Sequence, residues 1–101
     1  MDAVTAVSGS GPAYVFHFIE CLTQAAEKAG LPHETAKLLA MQTVYGAAAL
    51  AAESREEPGV LRRQVTSPNG TTAAALDVLM GGGRLEKLVG ESVEAARLRS
   101  I

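Results

Sequence analysis

The sequence predicts an all-α domain, a helical bundle of about five helices. Three observations carry that prediction. Apolar residues recur at three- and four-residue spacing over most of the 101 residues. No stretch alternates convincingly with a period of two, so strands are not expected. The chain is 48% hydrophobic but only 4% aromatic, with no Trp, so its core must come from Ala, Leu, Val, Ile and Met.

The first helix is expected after "SGSGP". Ser10 or Gly11 is placed to cap it, and Pro12 suits a first turn, where a missing N–H costs nothing. Val15, Phe18, Ile19, Leu22, Ala26 and Ala29 form its apolar stripe, with His17, Glu20, Gln24, Glu27 and Lys28 on other faces. Gly30 ends it, and Leu31-Pro32 restarts the chain. The second helix runs from about His33 to Ser54. Its middle, "LLAMQTVYGAAALAA", is apolar nearly all round, the pattern of a helix buried on most faces. Gly46 and the alanines after it let another helix come close, as in a central helix or one side of a dimer interface.

"ESREEPG" is a polar connection, followed by a short helix over about Gly59 to Gln64. After the stretch "QVTSPNGTT", Ala73, Leu76, Leu79 and Met80 mark a fourth helix, stopped by "GGG" at 81–83. The last helix carries Leu85, Leu88, Val89, Val93 and Ala96, with Glu86, Lys87, Glu91, Glu94 and Arg97 facing out. Short loops imply antiparallel neighbours.

Size and charge narrow the function. A chain of 101 residues is expected to be one domain and buries only about two thirds of its unfolded surface. Small side chains bring little area at roughly 25 cal/mol per Å², so association with another copy or domain is expected. Net charge is −2 with no basic run, which argues against nucleic acid. Cys21 is the one cysteine, so neither an intrachain disulfide nor a Cys-rich zinc site is possible. The longest charge-free apolar stretch, Leu38 to Ala52, is too short and too polar for a bilayer, and the N-terminus does not read as a signal peptide. A cytoplasmic protein without a membrane segment is the expectation.

"GSGPAY" at 9–14 opens like a dinucleotide fingerprint, but Tyr14 stands where the third glycine belongs and no strand precedes it. "MGGGRL" at 80–85 lacks the Lys-Ser/Thr of a phosphate loop and reads as a helix stop. His17 and His33 read as surface or interface residues, Cys21 as buried packing, and Tyr14 and Tyr45 as core or interface. No metal site is expected.

Residues 65–72 remain. Pro68 fixes φ for a turn, and Asn69-Gly70 tolerates positive φ. A helix starting near Gly70 or Thr71 leaves its first N–H groups without intrahelical partners. They face a loop bearing the hydroxyls of Thr66, Ser67, Thr71 and Thr72, and the nearest acid, Asp77, lies well into the helix. Such a helix start favours an anion by roughly 0.3–1 kcal/mol. The same residue types also build an ordinary capped helix-to-helix turn, so both readings stand on local chemistry.

Two segments carry a family resemblance. "DAVTAVSGSGPAYVF" (2–16) resembles the opening of the C-terminal domain of pyrroline-5-carboxylate reductases. "GVLRRQVTSPNGTTAAALDVL" (59–79) resembles that family's signature, usually centred on Ser-Pro-Gly-Gly-(Thr/Ala)-Thr. The resemblance runs over nearly the whole chain. It implies an enzyme that reduces 1-pyrroline-5-carboxylate to L-proline with NADPH or NADH. In that family a Rossmann domain precedes a helical domain like the C-terminal domain of 6-phosphogluconate dehydrogenase, which forms an interwoven homodimer and, in some members, larger rings of dimers. Residues 1–101 would be that dimerisation and substrate-binding domain, a fragment that binds no cofactor alone and is inactive alone, with Met1 either native or added.

The resemblance also implies roles. Ser67, through its hydroxyl, and Gly70, Thr71 and Thr72, through their N–H groups, would bind the substrate carboxylate. Thr72 matches the threonine near the ring nitrogen, and orienting the imine suits its weakly acidic hydroxyl better than donating a proton. Gln64 would approach the cofactor. Asn69 departs from the usual glycine, and as Asn it accepts left-handed geometry. Two other readings remain: a purely structural dimerisation module, or part of a reductase of another imine or keto acid.

Overall fold

The computed structural model describes residues 2–99; Met1, whose origin was left open above, Ser100 and Ile101 lie outside the described residues. Every regular element among them is helical. Helix α1 (Asp2–Val4) runs on as a π-helical turn, Thr5–Gly9. There follow α2 (Gly11–Lys28), α3 (His33–Glu53), α4 (Pro58–Gln64) and α5 (Thr71–Met80). A 3₁₀ turn, Gly81–Gly83, leads into α6 (Arg84–Arg99). The five expected helices are present, and α1 with its π turn is an addition.

That addition corrects the expected start of α2. An N-cap needs non-helical backbone, but Ser10 has φ −88° and ψ −21°, and its N–H donates to the Thr5 carbonyl at 2.9 Å. The chain therefore enters α2 already helical, and "SGSG" is a widened helical turn instead of a cap. Pro12 does lie in the first turn of α2.

The chain gathers into two compact units: one joins Met1–Ser10 to Glu56–Ile101, and the other is Gly11–Arg55. The second unit is a hairpin of α2 and α3. Gly30, at φ 110°, makes the reversal possible, because this left-handed region favours a residue without Cβ. Its N–H donates to Glu27 at 2.9 Å and that of Leu31 to Ala26 at 3.1 Å, the paired bonds of a Schellman ending. Thr23 on α2 and Ala36 and Ala40 on α3 are the buried residues here. The two alanines, four apart, share one face of α3, where their small size permits close helix packing. Thr23 is satisfied inside its own helix, donating to Ile19 at 2.8 Å.

Helix α3 departs from its expected burial. Leu38, Leu39, Met41, Tyr45 and Leu50 are all exposed, Leu38 by 59% and Tyr45 by 71%. One neighbouring helix covers one stripe, and an all-round apolar helix has more faces than that.

In the first unit, α1 and the π turn pack on α6, and so does α5. Ala6, in the π turn, is this unit's buried residue. Gly82 and Gly83, at φ 67° and 66°, turn the chain between α5 and α6, as the glycine run predicts. Of the expected α6 stripe, Val93 and Ala96 are half-buried, whereas Leu85, Leu88 and Val89 are exposed.

Candidate functional site

The segment between α4 and α5 is built from short-range bonds. Pro58 opens α4, where its missing N–H leaves nothing unpaired. At the other end of α4 the last carbonyls have no intrahelical donors, and Thr66 takes two of them. Its hydroxyl donates to the Arg62 carbonyl at 2.6 Å and its N–H to the Arg63 carbonyl at 3.1 Å. Thr66 therefore leaves the set of hydroxyls expected to face a ligand.

Ser67, Pro68, Asn69 and Gly70 then form a closed turn, with the Gly70 N–H donating to the Ser67 carbonyl at 3.1 Å. Asn69 sits at φ 59°, the one non-glycine residue with positive φ among those described. Pro at the second position and positive φ at the third are the marks of a type II turn. Asn is among the few residues that tolerate that third position, so the left-handed geometry expected for Asn69 is present.

Gly70 is explained differently from the sequence expectation. Its φ of −88° and ψ of −175° are open to any residue. What favours glycine there is space, since a Cβ would stand 3.2 Å from the Ser67 carbonyl oxygen and 3.4 Å from the Ser67 Cβ, and Ser67 would have to give by a few tenths of an ångström. The Gly70 N–H is also committed to the turn, so it is not an available ligand donor in this conformation. Gly70 instead closes the loop and starts α5, its carbonyl accepting from Ala74 at 3.2 Å.

The N–H groups of Thr71, Thr72 and Ala73 open α5, and none has a partner among the described residues. No side chain caps this helix, and no acid stands in its first turn. Ser67, Thr71 and Thr72 are exposed, and their hydroxyls likewise have no partner among the described residues. Three backbone donors, three hydroxyls and the positive end of a ten-residue helix thus share one short segment without an internal acceptor. Chemically this arrangement suits a small anion such as a carboxylate. Gln64 is exposed in the last turn of α4.

Elsewhere the chemistry is thinner. His17 Nδ1 pairs with Glu20 Oε1 at 3.0 Å, and its Nε2 lies 3.5 Å from Cys21 Sγ. The sequence offered no obvious carboxylate for His17, yet the i, i+3 spacing was the signal for Glu20. Cys21 is exposed, contrary to its expected burial, because it lies on the His17 side of α2. His33 Nδ1 pairs with Glu27 Oε2 at 3.0 Å across the α2–α3 link. Both histidines are thus surface residues. No group of three or more His, Cys, Asp or Glu among the described residues could hold a metal ion. An open groove of about 480 Å³ lies along Gly81, Gly82, Arg84, Lys87, Leu88 and Glu91 and includes none of the loop residues. Among the described residues no helix is long and apolar enough to cross a membrane.

Comparison with known proteins gives a consistent picture. The family described as pyrroline-5-carboxylate reductase dimerisation matches residues 1–101. The pyrroline-5-carboxylate reductase of Pseudomonas aeruginosa is 54% identical over 100 residues, covering 99% of this chain and 36% of that protein. That of Arabidopsis thaliana is 49% identical over 96 residues, covering 95% of this chain and 35% of the relative. Among solved structures, the Plasmodium falciparum pyrroline carboxylate reductase with NADP bound superimposes with a TM-score of 0.93 at 40% identity, over 99% of this chain and 38% of that one. The Coxiella burnetii pyrroline-5-carboxylate reductase gives 0.92 at 48% identity, over 97% and 36%. The chain therefore spans a little over a third of the length of these relatives.

Proposed function

The chain belongs to the pyrroline-5-carboxylate reductase dimerisation family, and from that premise we propose that it is the dimerising, substrate-binding part of a longer reductase. That enzyme reduces 1-pyrroline-5-carboxylate to L-proline. The observation that carries the proposal is the unpartnered donor set at the start of α5. A five-membered imine bearing one carboxylate has the anion these donors lack.

In this reading the carboxylate is held by the Ser67 hydroxyl and the N–H groups of Thr71 and Thr72. Gly70 contributes the turn that brings Ser67 back to the helix start. Thr72 orients the ring nitrogen through its hydroxyl. Most of the rate comes from holding the imine carbon in place against the reductant.

The reductant is a nicotinamide dinucleotide, NADPH or NADH, a choice supported by the NADP bound to the Plasmodium falciparum relative. It supplies the hydride. The described residues do not fit its pyrophosphate, because no strand among them precedes a glycine-rich turn. We assign it to the remaining two thirds of the longer enzyme, with the exposed Gln64 as the one side chain here that approaches it.

The exposed apolar residues of α3 support a homodimer in which a second copy covers them. An interwoven dimer, and rings of such dimers, would follow the pattern of the family.

In the complete enzyme, Thr72→Ala is expected to lower kcat/KM about tenfold, the loss of one hydrogen bond of about 1 kcal/mol or slightly more. Unchanged kcat/KM would remove Thr72 from the mechanism. Activity on five- against six-membered cyclic imines separates this substrate from a related one. L-Proline added to this chain alone should shift the Thr71 and Thr72 amide resonances, which a purely structural module would not do.

A further inference from the structure

We propose that Thr66 is a positioning residue for the carboxylate site, an assignment that rests on reading residues 65–72 as that site. Its hydroxyl ties the loop to α4 and so sets where Ser67 presents its own hydroxyl.

The loop consists of two rigid pieces. One is α4 extended by Thr66, held by the bonds to Arg62 and Arg63 at 2.6 and 3.1 Å. The other is the 67–70 turn fused to α5, closed by the Gly70-to-Ser67 bond at 3.1 Å and tight around position 70. The two pieces meet at the Thr66–Ser67 peptide. Ser67 is thus the first residue past the anchor, and the orientation of Thr66 is inherited directly by Ser67. Thr66 is half-buried and its hydroxyl is used internally, whereas Ser67 is exposed and its hydroxyl is unpartnered. The adjacent residues divide the work: one hydroxyl holds the loop, the next faces outward.

Removing the Thr66 hydroxyl leaves its N–H···O bond to Arg63 as its one hydrogen bond to α4, and an orphaned Arg62 carbonyl that water must satisfy. Val keeps the shape and loses the hydroxyl; Ser keeps the hydroxyl and loses a methyl. Because the Thr66 hydroxyl is already bonded to the Arg62 carbonyl, its loss acts on carboxylate binding through Ser67.

The test uses the complete reductase. Thr66→Val is expected to raise KM for the imine about fivefold, with a smaller change in kcat, the pattern of lost ground-state binding. Thr66→Ser should restore KM to within about twofold, and Thr66→Val should add less than about twofold to Ser67→Ala, since residues acting as one unit are non-additive. A KM unchanged in Thr66→Val, a failure of Ser to rescue, or effects that multiply with Ser67→Ala would overturn the assignment. Amide exchange on the unsubstituted protein gives a second reading that needs no variant to fold. Without substrate, the Thr66 and Gly70 amides should exchange at least about tenfold slower than in an unstructured peptide; exchange at the peptide rate would show that no clamp exists. If the unsubstituted enzyme does not reduce the imine, the functional reading fails, and the exchange rates still decide the clamp.

Discussion

The loop before α5 and the helix α3 are opposite in where their stability comes from. The loop is polar, exposed and only a few residues long, yet its backbone is tied by bonds that reach no more than four residues along the chain. Helix α3 is long and regular, yet most of its large apolar side chains lie open. Polar geometry can be completed locally, because one donor and one acceptor satisfy each other. Apolar surface is satisfied only by area, and one neighbouring helix supplies too little of it. The loop's backbone is therefore set within the chain, whereas the apolar side of α3 is left without the area that would cover it.

Four substitutions or titrations test that contrast, from the largest expected effect to the smallest. Ala36 is 0% exposed where α3 meets α2. Ala36→Glu would bury an unpaired charge there and should destabilise the hairpin by more than about 3 kcal/mol. Denaturant midpoints measure it, and a midpoint near that of the unsubstituted chain would mean that α2 and α3 do not depend on this contact.

Tyr45, 71% exposed on α3, probes the open side. If a second copy covers it, Tyr45→Glu should weaken the dimer by about 2 kcal/mol, the scale of an interface anchor. Light scattering over a dilution series would then show monomer at concentrations where the unsubstituted protein is dimeric. A monomer at all concentrations in both proteins would break the comparison outright.

Asn69 probes the loop. Asn69→Val places a β-branched residue at φ 59° and should lower stability by about 1–2 kcal/mol, while Asn69→Gly should stay within about 1 kcal/mol of the original. Equal effects of Val and Gly would show that the turn is not held in this geometry.

Glu94 on α6 sets the floor. The bonds from Arg97 at 2.6 and 3.0 Å hold its carboxyl below the ordinary carboxylate range, with its charge attraction adding in the same direction. A folded pKa below the unfolded one stabilises above the unfolded pKa and is lost as pH falls through the folded value. Both groups are open to solvent, so the contribution is small and screened by salt. Carboxyl NMR titration should place the Glu94 midpoint below the ordinary range, moving back toward it in Arg97→Gln.

Several features were legible in the residues alone, because the rules behind them act within about one helical turn. Gly30 and the 81–83 glycines marked element ends from backbone freedom. Pro68 and Asn69 marked a turn for the same kind of reason, and the start of α5 followed from it. What the residues left open depended on which partner each group finds. Thr66 and Ser67 are both small hydroxyl residues, and only the fold assigns one to an α4 carbonyl and leaves the other outward. Gly70 looked like a donor with conformational freedom, and turn closure made it a donor already used and a place with little room for Cβ. "SGSG" looked like a cap, but packing of α1 and its π turn on α6, far away in sequence, keeps the chain helical there. The exposure of α3 was out of reach because an apolar pattern reports what must be covered and says nothing of which surface covers it. The sequence by itself thus determined where the helices stop and where the turn lies. Tertiary structure decided which donors remain available and which apolar faces remain open, since both depend on contacts that local spacing does not encode.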